Sequence, residues 1–503
     1  MKRTLLFLVG VIISMSTYSY TPSPSNFHKY SVVHPRTALP NKYDSRDLGI
    51  ILPARNQMNT NTCWAFTGCD VSQALFHKKD SESGFLAPLV YVNCANSLGF
   101  TDVNLNSGGN EDIVVAMHSM LMGPVYQSSV PQLTETSSSK CTEYTQDDIH
   151  NYILDTSTLP EDDHIAIKQA IIEYGSVYAS IYMREIYLTN DFEYEYTGEE
   201  EADHAVSIIG WDDSKSAWLV KNTWGDWGPY NGCFWVSYND VHISKRCSSF
   251  NKFVSKEEIN KVYSYSKTGH NGNFGFDIKN YPTTIIVAYE IEKGDTIEYI
   301  STYITQPNTK VKMIIQSGEK GNKLLYEGEE ETIKYKGMHL HKLTKPVVSD
   351  GTSILAEICY ISDSIHAAPI ETSTKFKKII PHDKQWLYIP GTEDKDPTWY
   401  EVGKNNTDGY NYNFVVYIYT KKGNINTKVE ENISENNNTV LSGGKINPTI
   451  WNKAKQINVF DISGRNFCTI KNGGNLPPLN KGYYVLVIDN IDGSFTTERF
   501  NIY

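Results

Sequence analysis

The chain has 503 residues, more than one hydrophobic core supports, so about two to four domains are expected. Charged residues make up 21% and aromatic residues 12%, the composition of a globular protein. With 46 basic against 58 acidic side chains the net charge is −12, so no basic surplus exists to neutralise phosphates, and nucleic acid is excluded as a main partner.

Residues 1–19 read as a secretory signal peptide. Lys2 and Arg3 form its charged start, Leu5 to Met15 its short apolar core, and Thr17 and Ser19 the small residues before a cleavage point after Ser19. The apolar core is too short to span a bilayer, and no later stretch is long enough. The expectation is an exported protein, soluble or anchored by other means. Eight cysteines permit disulfides in such a chain but are too sparse to be its scaffold. Residues 20–37 are rich in Pro, Ser and His and lack periodicity, which reads as a short flexible lead. From 38 to 253 helical patterns come first ("DVSQALFHKK", "DIVVAMHSMLM", "HIAIKQAIIEYG"), and strand patterns follow ("HAVSIIGW", "AWLVKN", "CFWVSY"). That segregated order indicates an α+β domain. From 255 to 424 short strands alternate with Gly, Asn and Asp turns, the pattern of an all-β sandwich. Residues 425–445 are Asn, Glu and Lys-rich and read as a linker, and 446–503 form a last small β unit.

The segment "NTNTCWAFTGCD" places Cys63 where a polar turn meets a helix whose Trp64, Gly68, Val71 and Leu75 fall on one face. The first turn of a helix has free N–H groups and a partial positive charge, which favour a thiolate, the nucleophilic form. Such a thiol needs a base and a donor for the developing oxyanion. Gln57, six residues upstream, is the donor candidate. The base candidate is His204. "HAVSIIGW" and "AWLVKNTW" form a hairpin; centred near Asp213, it pairs residues whose numbers sum to about 426 and sets His204 opposite Asn222. The Asn amide oxygen holds one ring N–H and leaves the other nitrogen for the thiol. Trp224, two residues on, projects to the same face and shields that bond from water.

These residues resemble a known family. "NQMNTNTCWAF", "DHAVSIIGWD" and "WLVKNTWGDWGPYNGCFWVSY" are similar, in order, to the three signature segments of papain-like cysteine proteases. "LPNKYDSRDLGIILPARNQ" resembles the start of the family's mature domain, and "NSGGNEDIVVAMHSM" the segment whose paired glycines, here Gly108 and Gly109, wall the cleft. The resemblance spans about 38–253. It implies an α+β papain-like catalytic domain, a helical half plus a β half, followed by the all-β sandwich. It further implies Cys63 as nucleophile, His204 as base, Asn222 as its orienter, and Gln57 with the Cys63 backbone N–H as oxyanion donors. Trp224, Gly108 and Gly109 border the substrate. Departures are Asn61-Thr62 where many members have Gly-Ser, Thr60 where many have a cysteine, and Thr223 where Ser is common. The lead is far shorter than the usual inhibitory propeptide, which speaks against control by a large propeptide.

The 255–424 region is similar to the lectin-like sandwich that follows papain-like domains in some bacterial surface proteins. Its Trp386 and Trp399 either stack on sugar rings or pack in the sandwich. "INVFDISGRNFCTI", "LNKGYYVLVI" and "GSFTTERFNIY" together resemble the C-terminal sorting domain of the bacterial type IX secretion system. His270, His339 and His341 have no cysteine cluster nearby and read as surface residues, not zinc ligands. The acidic run Glu193, Glu195, Glu199, Glu200, Glu201 and Asp203 would favour Lys- or Arg-bearing substrates if it rims the cleft. The expected function is thus a secreted cysteine endopeptidase acting through a thioester acyl-enzyme, monomeric, with no cofactor and no metal. Its partners would be protein or peptide substrates, the type IX secretion machinery and, through the sandwich, a glycan. The alternative is a surface adhesin or glycan-binding protein with a vestigial protease domain.

Overall fold

The computed structural model describes Tyr20, residues 28–35 and residues 38–423, with breaks at 36–37, 81–83, 138–139, 142–143, 277–279, 319–320, 322, 364–366, 390–397 and 404–410. Beyond 423 it describes 441–442, 445–446, 454–461, 466–471, 474, 477, 482–491 and 495–502. The segment expected to be a signal peptide, 1–19, and most of the stretch expected to be a linker, 425–445, lie outside the described residues. The chain divides into two compact units, one ending at Gly423 and one starting at Asn424.

Among the described residues the first unit holds four α-helices: α1 (Cys63–Asp80), α2 (Pro88–Leu98), α3 (Glu111–Ser119) and α4 (His164–Tyr174). Pro88 starts α2, where its missing N–H costs nothing. Asn110 and Asp163 cap α3 and α4 by accepting from the N–H groups of Ile113 and Ala166. Helix α1 departs from the one-sided pattern expected of it. Every residue from Thr62 to Phe76 is buried, because α1 packs against α2, α3, α4 and the sheet at once. A helix covered on all sides needs no polar face. Its one carboxylate in that stretch, Asp70, is matched by an ion pair to Lys221 at 3.0 Å.

Eight strands form the sheet of this half: β1 (Lys42–Asp44), β2 (Asn151–Thr158), β3 (Val177–Ile181), β4 (Glu193–Tyr194), β5 (His204–Asp212), β6 (Ala217–Lys221), β7 (Cys233–Ser237) and β8 (Ser248–Ser255). Their order is β2-β8-β3-β5-β6-β7-β4, with β1 on β5. All nine residues of β5 are buried, since elements cover both faces of the sheet. The hairpin register differs from the one expected. Ser207 pairs with Lys221 and Asp212 with Ala217, sums of 428 and 429, and a bulge lies between Ile208 and Gly210. The cause is a four-residue connection, Asp213 to Ser216, one side of which sits further along the chain than a turn centred on Asp213 allows. On the His204 side of the bulge the shift is two residues, which preserves the parity that keeps His204 and Asn222 on one face.

After β8 every named element among the described residues is a strand, as the pattern of short strands implied. A seven-stranded sheet, a four-stranded sheet and a three-stranded sheet enclose a core that includes Ile285, Val287, Ile300, Ile315, Ile358 and Ile418. This part abuts the first half directly. Thr158 bridges to Lys336, Tyr419 Oη donates to the Ser119 carbonyl at 3.0 Å, and Tyr303, Leu340 and Tyr417 share the apolar cluster that holds Cys63. Two of the three histidines read as surface residues are buried. His270 stacks on Tyr303 with ring centroids 3.9 Å apart, and His339 sits between the Tyr335 carbonyl and Asp155; only His341 reaches the edge, paired with Glu331 at 3.0 Å. Trp386 packs on Ile286, Ala288 and Leu355, whereas Trp399 is partly exposed against Tyr388.

The described part of the lead is not a free tail. His28 is buried with Nδ1 3.0 Å from the Leu159 carbonyl, Tyr30 Oη donates to the Thr158 carbonyl, and His34 pairs with Asp163 at 2.6 Å. Pairing of this kind is long-range and leaves no periodicity to read. The second unit is a four-stranded antiparallel sheet in the order Asn466–Lys471, Ala454–Asp461, Gly482–Asn490, Phe495–Ile502. Leu441–Ser442 pairs with Lys445–Ile446, so the end of the stretch read as linker holds a short strand pair.

Candidate active site

Cys63 is the first residue of α1 and is buried. The polar turn ahead of it is held by its own side chains. Thr60 Oγ1 donates to the Gln57 carbonyl at 2.5 Å and lies 2.7 Å from Thr62 Oγ1. Asn61 donates its backbone N–H to the Leu105 carbonyl at 2.6 Å and its side-chain amide to the Asn106 carbonyl at 2.7 Å. Of the two residues that depart from Gly-Ser, Asn61 ties the nucleophile's turn to the loop that carries Gly108 and Gly109, and Thr62 bonds within the turn. Gly108 has φ +73°, a left-handed conformation that side chains disfavour. A Cβ on Gly109 would lie 2.4 Å from the Trp64 indole, so only glycine lets this wall close on α1.

Strand β5 begins at His204. The Ala205 N–H donates to Cys63 Sγ at 3.3 Å, which sets the thiol against the start of this strand. His204 Nε2–H donates to Asn222 Oδ1 at 2.7 Å. That bond occupies Nε2 and leaves Nδ1 for a proton exchanged with a thiol or substrate. Asn222 lies just past the end of β6, and its Oδ1 also accepts from the Thr223 N–H at 2.8 Å. Trp224 stands over the pair with its ring 5.2 Å from the imidazole, and Trp227 backs it at 5.2 Å, edge to face. Burial pushes the His204 pKa below the usual histidine range, while the Asn222 bond and the Asp203 charge oppose that push.

Gln57 is buried and clamped at both ends. Its Nε2 donates to the Thr60 carbonyl at 2.6 Å, and its Oε1 accepts from Thr223 Oγ1 at 2.5 Å. An amide nitrogen has two hydrogens, so one remains for an oxyanion. Thr223 thus orients Gln57, a role its position in the sequence did not announce. A second unannounced pair lies deeper. Asp70 of α1 and Lys221 of β6 form the buried ion pair described above, with Arg55 at 3.9 Å from the same carboxylate. The signal for it was present as one acid in an apolar helix and one lysine in an apolar strand. Cys94 and Cys141 are bonded to each other, and burial pushes Cys69 up to about 12 and Cys233 up to about 11. Of the acidic run, Asp203 pairs with Arg184 and Glu193 with Lys215, while Glu195, Glu199, Glu200 and Glu201 are exposed.

Residues 39–255 match the family model described as papain family cysteine protease. That segment is a papain-family cysteine protease domain. Among curated relatives, cathepsin K of Mus musculus is 23% identical over 207 residues, covering 38% of this chain and 57% of that protein. Cathepsin O of Homo sapiens is 25% identical over 218 residues, covering 41% of this chain and 65% of that protein. The match thus spans less than two thirds of either relative. Among solved structures, the clostridial cysteine protease Cwp84 after propeptide cleavage superimposes with a TM-score of 0.65 at 19% identity, covering 76% of this chain and 99% of that one. The structure of the cysteine protease and lectin-like domains of Cwp84, described as a surface layer associated protein of Clostridium difficile, gives 0.64 at 18% identity over 78% and 91%. The likeness in fold therefore runs past the papain-family domain into the β-sheets that follow it.

Proposed function

We propose that the chain is a secreted cysteine endopeptidase. Cys63 attacks the peptide carbonyl carbon as a thiolate, its proton held on His204 Nδ1. The second Gln57 N–H and the Cys63 backbone N–H receive the developing oxyanion. His204 then gives its proton to the leaving amine as the C–N bond breaks, and a thioester remains on Cys63. Water, deprotonated by His204, attacks the thioester, releases the acid and restores the thiol. The observation that carries this reading is the 2.7 Å bond from His204 to Asn222 beneath Trp224, on a strand whose next N–H meets the Cys63 sulfur.

Export by residues 1–19 and passage across the outer membrane through the type IX machinery, directed by 446–503, complete the reading, with the product at the cell surface or released. The β-sheets after the protease domain would hold a glycan or a surface polymer; their likeness in fold to a structure titled as containing a lectin-like domain supports this. The complete set of Cys63, His204, Asn222 and Gln57 weighs against an adhesin with a vestigial protease. Purified protein tested on a peptide library, with and without a thiol-directed epoxysuccinyl inhibitor, examines the reading. Internal cleavage abolished by the inhibitor supports it, and cleavage that survives the inhibitor contradicts it.

A further inference from the structure

Tyr20 has 0% of its surface exposed, and it is buried beside the reacting groups, not in a distant core. Its backbone N–H donates at 2.9 Å to the carbonyl of Asp203, the residue before His204. Its phenol donates at 3.0 Å to Glu111 Oε2, two residues past Gly109. It packs in one apolar cluster with Cys63, Trp64, Tyr178, Ala202 and Ala205. One tyrosine of the chain therefore bridges the 108–111 and 203–205 segments that flank the nucleophile. A main-chain N–H given to the carbonyl just ahead of a strand, with the side chain set in a pocket, is how an extended peptide is gripped.

We infer that the pocket floored by Glu111 recognises a tyrosyl side chain of the substrate, and that Tyr20 is its resident competitor. The inference rests on the peptidase reading. Glu111 is 3% exposed, and its oxygen has a phenol as partner. A phenylalanine in the same place would deprive that buried carboxyl of its phenol partner, which a site built around a hydroxyl rejects. A lysine or arginine side chain is disfavoured for a different reason. Arg246 already acts on both Glu111 and Tyr20 with its positive charge, so an incoming cation meets one already in place. Burial, reinforced by Asp112, pushes Glu111 up to about 7, which lets its carboxyl either accept from or donate to a phenol near neutral pH. The exposed acidic residues from Glu195 to Glu201 do not enter this pocket's hydrogen bonding, so the preference is set by Glu111.

Binding to the full chain carrying Cys63→Ala, which cannot turn over, tests the inference apart from catalysis. Blocked peptides differing only in Tyr, Phe, Leu or Lys, scanned through each position, are titrated by calorimetry with and without Tyr20→Ala. Removing Tyr20 should tighten binding of the Tyr peptide at least about tenfold and leave it at least about tenfold tighter than the Phe peptide. Adding Glu111→Leu should bring that Tyr-to-Phe ratio to about one. Should the alanine chain fail to fold, Tyr20→Phe keeps the packing, loses the Glu111 bond, and should still raise affinity for the Tyr peptide severalfold. Equal affinity for Tyr and Phe peptides, or no gain on altering Tyr20, overturns the inference. Hydrolysis is scored separately on the chain with Cys63 intact: a Tyr preference in binding with no hydrolysis sinks the peptidase reading alone, and hydrolysis with no Tyr preference sinks this inference alone.

Discussion

Asp70→Asn is the substitution that most directly probes how the site is braced. Asp70 lies two turns along α1 from Cys63, and Lys221 closes β6 immediately before Asn222. Their charged atoms are 3.0 Å apart, and the side chains are 5% and 3% exposed. The pair therefore fastens the helix that carries the nucleophile to the strand that delivers the base's orienter. Asparagine keeps the shape and removes the charge. Lys221 is then left buried without its counter-ion, and Arg55, 3.9 Å from the same carboxylate, adds a like charge. Breaking a buried pair from one side costs about 3–5 kcal/mol. For a unit running to Gly423, unfolding entropy of about 2.1 cal/mol/K per residue converts each kcal/mol to about 1 °C, so Tm falls by about 3–6 °C. Calorimetric melting reads this, and kcat should fall in parallel because Cys63 and Asn222 lose their common anchor. Replacing both partners, Asp70→Leu with Lys221→Met, should return most of the lost stability, since no charge is stranded. A Tm shift below about 1 °C for Asp70→Asn would refute the reasoning.

Asn222→Ala should lower kcat/KM by up to about 100-fold while Cys63 still alkylates, because the imidazole loses its 2.7 Å anchor but both reacting groups persist; initial rates on a fluorogenic peptide check it. Stability should fall as pH drops from 7 to 5. Burial holds His28 at about 4, His118 at about 3 and His270 at about 3, so their stabilising effect is full above the unfolded value of about 6.5 and is lost below it. Each contributes a loss of about 2 kcal/mol at pH 5; Glu111, raised to about 7, offsets about one of these losses over the same interval, and burial of His164 and His204 adds to the loss, so urea midpoints should fall. A urea midpoint independent of pH would contradict this balance. Deleting residues 446–503 in the native host should leave the protein in the periplasm, and normal amounts at the surface or in the medium would refute the sorting role.

Local chemistry was readable where it depends on nearby residues. The turn before Cys63, the helix it opens and the strand that starts at His204 follow from turn residues and periodicity alone. An approximate register is enough to set His204 and Asn222 on one face. The four-residue connection and the bulge after Ile208 shift the pairs by two, and alternation along a strand forgives an even shift. What escaped depends on contacts between distant parts of the chain. One acid in the apolar part of α1 and one lysine at the end of an apolar strand call for partners but do not name each other, and nothing near Tyr20 signals Glu111. The lead read as flexible because its bonds to Leu159, Thr158 and Asp163 join residues more than a hundred positions away. His270 and His339 read as surface residues because local composition does not show that one domain's sheets will cover them. Helix α1 read as one-sided for the same reason, since its full enclosure comes from three other helices and a sheet.

The central claim is that Cys63 is the nucleophile of a peptidase. Its most direct test is intact-mass measurement after treatment with an epoxysuccinyl inhibitor, followed by peptide mapping, on the unaltered chain and on Cys63→Ala. The account predicts a single adduct on Cys63 that stops hydrolysis, and neither adduct nor hydrolysis in the alanine chain, with Cys69, Cys233 and Cys247 unlabelled because burial pushes their thiol pKa up and keeps them protonated. Retained hydrolysis in purified Cys63→Ala, or inactivation with the adduct on another cysteine, would contradict it.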